Sequence, residues 1–236
     1  MPPPIEKYSR IISRGLRNTF RPRWTTIHFL TYATLRQLDF SVFRPGYEFV
    51  SSFKYDWIRY HRVAIKSAAR ANEYPALLLA GVAWQEVGGG HAAEDWAAFA
   101  IRSADAYRPS VLDTAFPILA KDPKDTSFGP IQMQLDVAAE TKSLDFSQLH
   151  LVDKILLMKL LERDEANIVL AAKHLRYLID YDDLQTTPPK LSDESIAIAA
   201  TRYNRGIEPN LDEIKRGISY GEGIIKRKEK ILKALL

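Results

Sequence analysis

The chain has 236 residues and no cysteine. That absence excludes disulfides and thiolate metal sites together, and it leaves the redox compartment open. No apolar run approaches the roughly 20 residues that a membrane-spanning helix needs, so no stable membrane insertion is expected. The opening, MPPPIEKYSR, lacks the apolar core of a secretory signal peptide. The five histidines, His28, His61, His91, His150 and His174, have no H-E-x-x-H or comparable ligand spacing, so neither a metal nor another cofactor is expected. There is also no helix-turn-helix signature, no zinc-ligand set and no glycine-rich phosphate loop, which argues against nucleic acid as a partner. Internal repeats at solenoid periods are missing too.

What remains is an ordinary globular composition, 46% hydrophobic and 26% charged, long enough for one large domain or a domain with an arm. The net charge of +4 is modest but uneven. Residues 1–50 carry Lys7, Arg10, Arg14, Arg17, Arg21, Arg23, Arg36 and Arg44 against Glu6, Asp39 and Glu48. The far end repeats the bias with Lys226, Arg227, Lys228, Lys230 and Lys233. Such ends attract polyanions, including nucleic acid, anionic membranes and cell-wall polymers; a solvated basic face is the plainer alternative.

Residues 1–53 are aromatic-rich and broken by Pro22, Pro45 and Gly46, and they read as an arm whose 24–43 stretch fits helix and strand equally. From residue 54 the pattern is helical. Trp57, Ile58, Val63, Ala64, Ala68 and Ala71 form a stripe over 55–72. Pro75 opens a helix over 76–87, as a first turn tolerates it. Further helices are expected over 95–107, 152–162, 165–180, 196–203 and 224–235, with a loop over 117–130. The expectation is a mainly α chain: arm 1–53 and a helical domain 54–236.

Four segments carry chemistry by their order: PALLLAGVAWQEV from Pro75, SFGPIQMQ from Ser127, NIVLAAKHLRYLI from Asn167, and AATRYNRG from Ala199. Together they resemble the soluble lytic transglycosylase family and its goose-type lysozyme relatives, whose patterns run P..L..A...ES, S.GLMQ, N...G..YL..L and A..YN.G. The resemblance spans about Ala64 to about Ile225. It implies a lysozyme-like helical fold and a muramidase acting on peptidoglycan glycan strands. Glu86 matches the family's catalytic acid, and the chemistry suits it: a leaving glycosidic oxygen needs a proton, and burial at the end of an apolar helix keeps a carboxyl protonated. By the same resemblance Tyr203 aims its hydroxyl at Glu86. Ser127, Gly129 and Gln132 border the sugar groove, with Gly129 letting backbone approach the substrate, and Asn204 makes a fold or groove contact. Asn167 reads as a helix cap.

Two departures matter. The usual serine after the acid is Val87, and the usual Leu-Met after the motif's glycine is Pro130-Ile131. The Glu86–Ser127 interval also brings Asp122 and Asp125 ahead of SFGPIQ. A carboxylate opposite the acid would suit an inverting hydrolase, which makes Asp125, or Asp122, the candidate base for that alternative. Without one, Glu86 serves as acid and then base, and the product is a 1,6-anhydro sugar. A catalytically silent binding protein is the third alternative. Peptidoglycan lies in the periplasm or cell wall while no export signal is visible. Either the chain is a piece of a longer protein or it leaves without a cleaved signal, as expected of a phage lysis or virion protein or of an antibacterial toxin delivered by a secretion apparatus, with an immunity or inhibitor protein as partner in the toxin case.

Overall fold

Residues 77–84 are eight consecutive buried positions, apolar on every side. A helix of that kind must lie at the centre of a bundle, and this one does. In the computed structural model, which describes residues 21–39, 44–88, 99–100, 122–184 and 190–236, the chain is mainly helical. In chain order the helices are α1 (Thr26–Arg36), α2 (Pro45–Ala71), α3 (Ala76–Glu86), α4 (Leu135–Thr141), α5 (Leu151–Leu161), α6 (Asp164–Tyr181), α7 (Asp193–Arg205), α8 (Leu211–Arg216), α9 (Ser219–Ile225) and α10 (Lys228–Leu235). A two-stranded antiparallel ribbon, β1 (Ser127–Phe128) and β2 (Met133–Gln134), pairs Ser127 with Gln134 and Phe128 with Met133. None of these helices is long and apolar enough to cross a membrane.

Helix α3 is the bundle's axis, packed by α2, α6, α7, α9 and α10. Helix α2 turns Phe53, Trp57, Ile58, His61, Ile65, Ala68 and Ala69 towards it, a stripe at three- and four-residue spacing. The core so formed also takes Ile168, Ala171, Leu175 and Leu178 from α6 and Ile231, Ala234 and Leu235 from α10. A second, smaller core holds Phe128, Met133, Leu135, Met158, Leu161 and Leu170 beneath the ribbon. Helix α6 contributes to both, so it fixes the ribbon relative to α3.

Several boundaries differ from expectation. Helix α2 runs unbroken through residue 53, because Pro45 takes the first helical position, so no chain break separates arm from domain there. The ambiguous 24–43 stretch contains α1, opened by a Thr25 cap whose hydroxyl accepts from the His28 N–H. The single helix expected over 224–235 is two, α9 and α10, because Arg227 leaves helical geometry at φ −111°, ψ 10°. Helix α8, absent from the expected helices, begins in a capping box: Glu213 N–H donates to Asn210 Oδ1 at 3.0 Å, and Asn210 N–H to Glu213 Oε2 at 2.8 Å. Residues 99–100 are helical; the rest of the 95–107 helix, Gly89, Gly90, His91 and residues 1–20 lie outside the described residues. The basic tail is largely engaged locally: Lys228 pairs with Asp193 at 2.6 Å, Lys230 sits over Trp84, and Arg227 reaches Tyr47 and the Gly223 carbonyl.

Candidate active site

Helix α3 stops because Val87 is extended (ψ 133°) and Gly88 is left-handed (φ 77°), which puts Glu86 in its last turn. The Val87 side chain returns to the core, 2% exposed. Glu86 itself is half-buried. Its Oε1 accepts a hydrogen bond from the Tyr220 hydroxyl at 2.5 Å. Lys54, from α2, donates to the Trp84 and Gln85 carbonyls at 2.7 and 2.9 Å, capping the negative end of α3. Burial raises the Glu86 carboxyl above its ordinary pKa, and the Tyr220 hydrogen bond and Lys54 charge only partly oppose it. Lys54 is in turn lowered to about 8 by burial, with the Glu86 charge working against that fall. The phenol of Tyr220 is raised far above its usual range by burial and by Glu86, so it stays a neutral donor.

Small residues bring Tyr220 there. A Cβ on Gly221 would lie 2.0 Å from the Ala197 carbonyl oxygen, and one on Gly81 would lie 2.3 Å from Ile224 Cγ2. Those two contacts press α9 between α7 and α3. The Gly221 N–H donates to buried Thr201 Oγ1 at 3.2 Å, and Gln85 Nε2 donates to the Tyr220 carbonyl at 2.9 Å. The signal in the sequence is the S-Y-G-E-G run, an aromatic beside two glycines on one short helix.

Across from Glu86 stands the turn that joins the ribbon. Asn167 fastens it: its Oδ1 accepts from Ile131 N–H at 2.8 Å and its Nδ2 donates to the Phe128 carbonyl at 3.4 Å. It is fully buried one turn inside α6, whose N-cap is Arg163, so it pins the turn and does not cap its helix. Gly129 has φ 78°, and a Cβ there would lie 2.1 Å from the Leu161 carbonyl oxygen. The close approach that demands glycine here is to the protein's own α5, at the Leu161 carbonyl. Gln132, also left-handed at φ 47°, holds its amide by donating to the Gly129 carbonyl at 3.0 Å.

Two adjoining pockets meet at Glu86 and Gln132, which line both. The larger, about 520 Å³, is bordered by Gly88, Gly129, Pro130, Asp164 and Trp24. The smaller, about 170 Å³, is bordered by Ser127, Asn204, Tyr203 and His174. Glu86, Gln132, Gly129, Ser127, Asn204 and Tyr203 are therefore brought together around these two pockets. The hydroxyl of Tyr203, however, donates to the Ile131 carbonyl at 3.0 Å; the phenol on Glu86 is Tyr220. Tyr203 still feels the carboxylate, since burial and then the Glu86 charge raise its pKa. His174, unassigned by sequence, packs 5.7 Å from the Tyr203 ring and is held at about 4 by burial.

The acidic loop goes elsewhere. Asp125 closes the short 3-10 turn Pro123–Asp125, with its N–H on the Asp122 carbonyl at 3.0 Å, and it borders neither pocket at Glu86. Its charge acts on Asp136 instead, helping burial to raise that carboxyl. Asp122 is exposed and borders a separate depression with Asp136 and Glu140. Among the described residues no group of three or more His, Asp or Glu is placed to hold a metal ion. Compared with family models, with curated proteins and with solved structures, the chain matches none.

Proposed function

We propose that this chain cleaves the β-1,4 bond between N-acetylmuramic acid and N-acetylglucosamine in peptidoglycan, as a lytic transglycosylase with a lysozyme-like helical domain. The observation that carries this reading is Glu86. Its carboxyl is pushed towards the protonated form where two pockets of one groove meet, and a neutral phenol holds it in place. A groove open on both sides of an acid suits a polymer threaded past it, with one sugar in each pocket.

In the reaction, protonated Glu86 gives its proton to the glycosidic oxygen as the C1–O bond breaks, and the departing sugar leaves as an alcohol. The muramic acid's own acetamido carbonyl shields the electron-poor C1. The carboxylate of Glu86 then takes the proton from the 6-hydroxyl, whose oxygen bonds to C1. The 1,6-anhydro product forms without water, and Glu86 is protonated again. Tyr220 and Lys54 support the interval in which Glu86 is anionic, since a phenol hydrogen bond and a cation both favour the charged form.

The anhydro route is favoured over hydrolysis by the placement of the carboxylates. The two carboxylates expected as a base, Asp125 and Asp122, border neither pocket at Glu86; of those that do border the larger one, Asp164 is bound by Arg21, and Glu162 and Glu165 are exposed side chains beside the start of α6. Val87 is packed in the core, so substrate orientation falls to Gln132, Ser127 and Asn204. The substrate puts the site of action in the periplasm or cell wall. Glu86→Gln keeps the shape and removes the proton; it is expected to reduce turbidity loss on purified peptidoglycan by about 10²-fold or more, with an unfolding temperature at or above wild type. Unchanged turnover in that variant would end this reading.

A further inference from the structure

Part of the lining of the larger pocket, beside Phe53 and Trp57 of α2, lies outside the helical bundle. It comes from residues 21–24, the stretch just before α1. Two features hold that stretch. Arg21 donates from Nε to Asp164 Oδ2 at 3.0 Å, with its Nη2 2.9 Å from the same oxygen. His61 Nε2, from α2, lies 2.9 Å from that oxygen as well. Asp164 is the first residue of α6 and is 8% exposed, so one buried carboxylate at a helix N-terminus gathers α2, α6 and the N-terminal stretch. Burial would raise its pKa, but His61 and Arg21 outweigh that and hold it below the usual carboxylate range.

The second feature is Trp24. Its ring meets Phe53 edge-on at 4.9 Å and lies 5.7 Å from His28. It also covers Gly88, where a Cβ would come within 3.3 Å of Trp24 Cε3, so the indole sits two residues beyond Glu86 along the chain. Trp24 stays half-buried and lines the pocket beside Glu86. A stretch that served packing alone would fill this space; here it lines a pocket of about 520 Å³ together with the ribbon turn and Glu86.

We propose that residues 21–24 are a substrate-binding wall of the Glu86 groove, with Trp24 the platform for one saccharide ring and Asp164 the latch that positions it through Arg21. The inference rests on the glycan reading above. Trp24 supplies apolar area at low conformational cost, and a wall fixed before binding spares the entropy of ordering it. Arg21 and Asp164 are positioning residues, since they act through the wall. The wall acts on binding in ground state and transition state alike, so its loss should fall on KM.

The test uses the full chain carrying Arg21→Gln, Arg21→Lys or Trp24→Ala, each checked for wild-type helicity and unfolding temperature. On solubilised peptidoglycan strands, Arg21→Gln and Trp24→Ala are expected to raise KM about tenfold with kcat within about twofold, and Arg21→Lys to recover most of the loss. In a Glu86→Gln background, the same changes should reduce co-sedimentation with insoluble peptidoglycan about tenfold. Where wild type turns over, an unchanged KM in both variants, or a fall confined to kcat, overturns the wall and leaves the glycosidase reading standing. If wild type releases no product, that reading fails and co-sedimentation decides the wall. Loss of retention in both variants then supports it; equal retention, or none by the parent, overturns it.

Discussion

Replacing Gly221 with alanine sets two effects against each other at the contact that delivers Tyr220 to Glu86. Alanine for glycine within a helix gains about 1 kcal/mol of intrinsic propensity. The new Cβ, however, would lie 2.0 Å from the Ala197 oxygen, 2.4 Å from its Cα and 2.5 Å from its carbonyl carbon. Carbon–oxygen contacts settle near about 3.3 Å, so α9 has to retreat from α7 by roughly 1 Å. The obstructing atoms are all backbone, so no rotamer change relieves them. Overpacking costs about 1–3 kcal/mol, and a three-atom backbone clash belongs at the upper end. The net loss is about 2 kcal/mol after the propensity gain, or roughly 4–8 °C in unfolding temperature for a chain of this size. A retreat of that length also takes the 2.5 Å bond between Tyr220 and Glu86 to the limit of hydrogen bonding. Gly223→Ala is the control. There the Cβ meets side chains alone, the flexible end of Gln85 at 2.6 Å and, in ordinary contact, Arg227 Nη1 at 3.4 Å. The propensity gain and a lost hydrogen bond are each about 1 kcal/mol and cancel. Urea unfolding at constant m-value reads both variants. If Gly221→Ala is as stable as wild type and its pH–rate profile is unmoved, the account of how α9 positions Tyr220 is refuted.

Other expectations follow from the same geometry. Tyr220→Phe removes a hydrogen bond that favours ionised Glu86, so the acid should stay protonated to higher pH. The alkaline limb of the activity profile then moves upward; a downward move contradicts the assignment. His174 is held at about 4, against 6.5 ordinarily, so between those values the unfolded chain binds a proton that the folded chain refuses. Its contribution to stability is intact above pH 6.5 and lost as pH falls to 4, by up to about 3 kcal/mol. The stability difference between wild type and His174→Gln should shrink accordingly, and a difference constant from pH 7 to 4 counts against it. Arg202, 1% exposed, clasps Asp182 through Nε at 2.7 Å and Nη2 at 2.9 Å and donates to the Pro209 carbonyl. Arg202→Met strands a shielded carboxylate and should cost about 3–5 kcal/mol in urea unfolding; a loss within experimental error would show that Asp182 is solvated in the variant.

The parts of the fold legible in the sequence are those where one helix carries its own signal. An apolar run cut by Gln85 and Glu86 announced α3 and its terminal carboxylate, and Pro75, at the N-cap, marked the start. The 3.6-residue stripe of Ile168, Ala171, Leu175 and Leu178 marked α6. What stayed hidden depends on partners distant in the chain. Tyr220 meets Glu86 across 134 positions, and nothing local distinguishes it from Tyr203, which lies in the more suggestive motif. Asn167 looked like a cap because asparagine often is one, yet its amide is used 36 residues upstream on the ribbon turn. Residue 53 looked like a border because aromatic-rich sequence gives way there to clear periodicity; the helix had already begun at Pro45. The Arg21–Asp164 contact spans 143 positions, beyond the reach of any pattern in either segment.

The central claim, that Glu86 donates the proton that opens a glycan strand, is tested most directly by the masses of fragments released from purified peptidoglycan. Wild type is expected to release muropeptides whose muramic acid end is one water lighter than a hydrolysed end, and Glu86→Gln to release none. Fragments with hydrolysed ends would contradict the anhydro route. Absence of fragments from wild type, or equal release by Glu86→Gln, would contradict the claim itself.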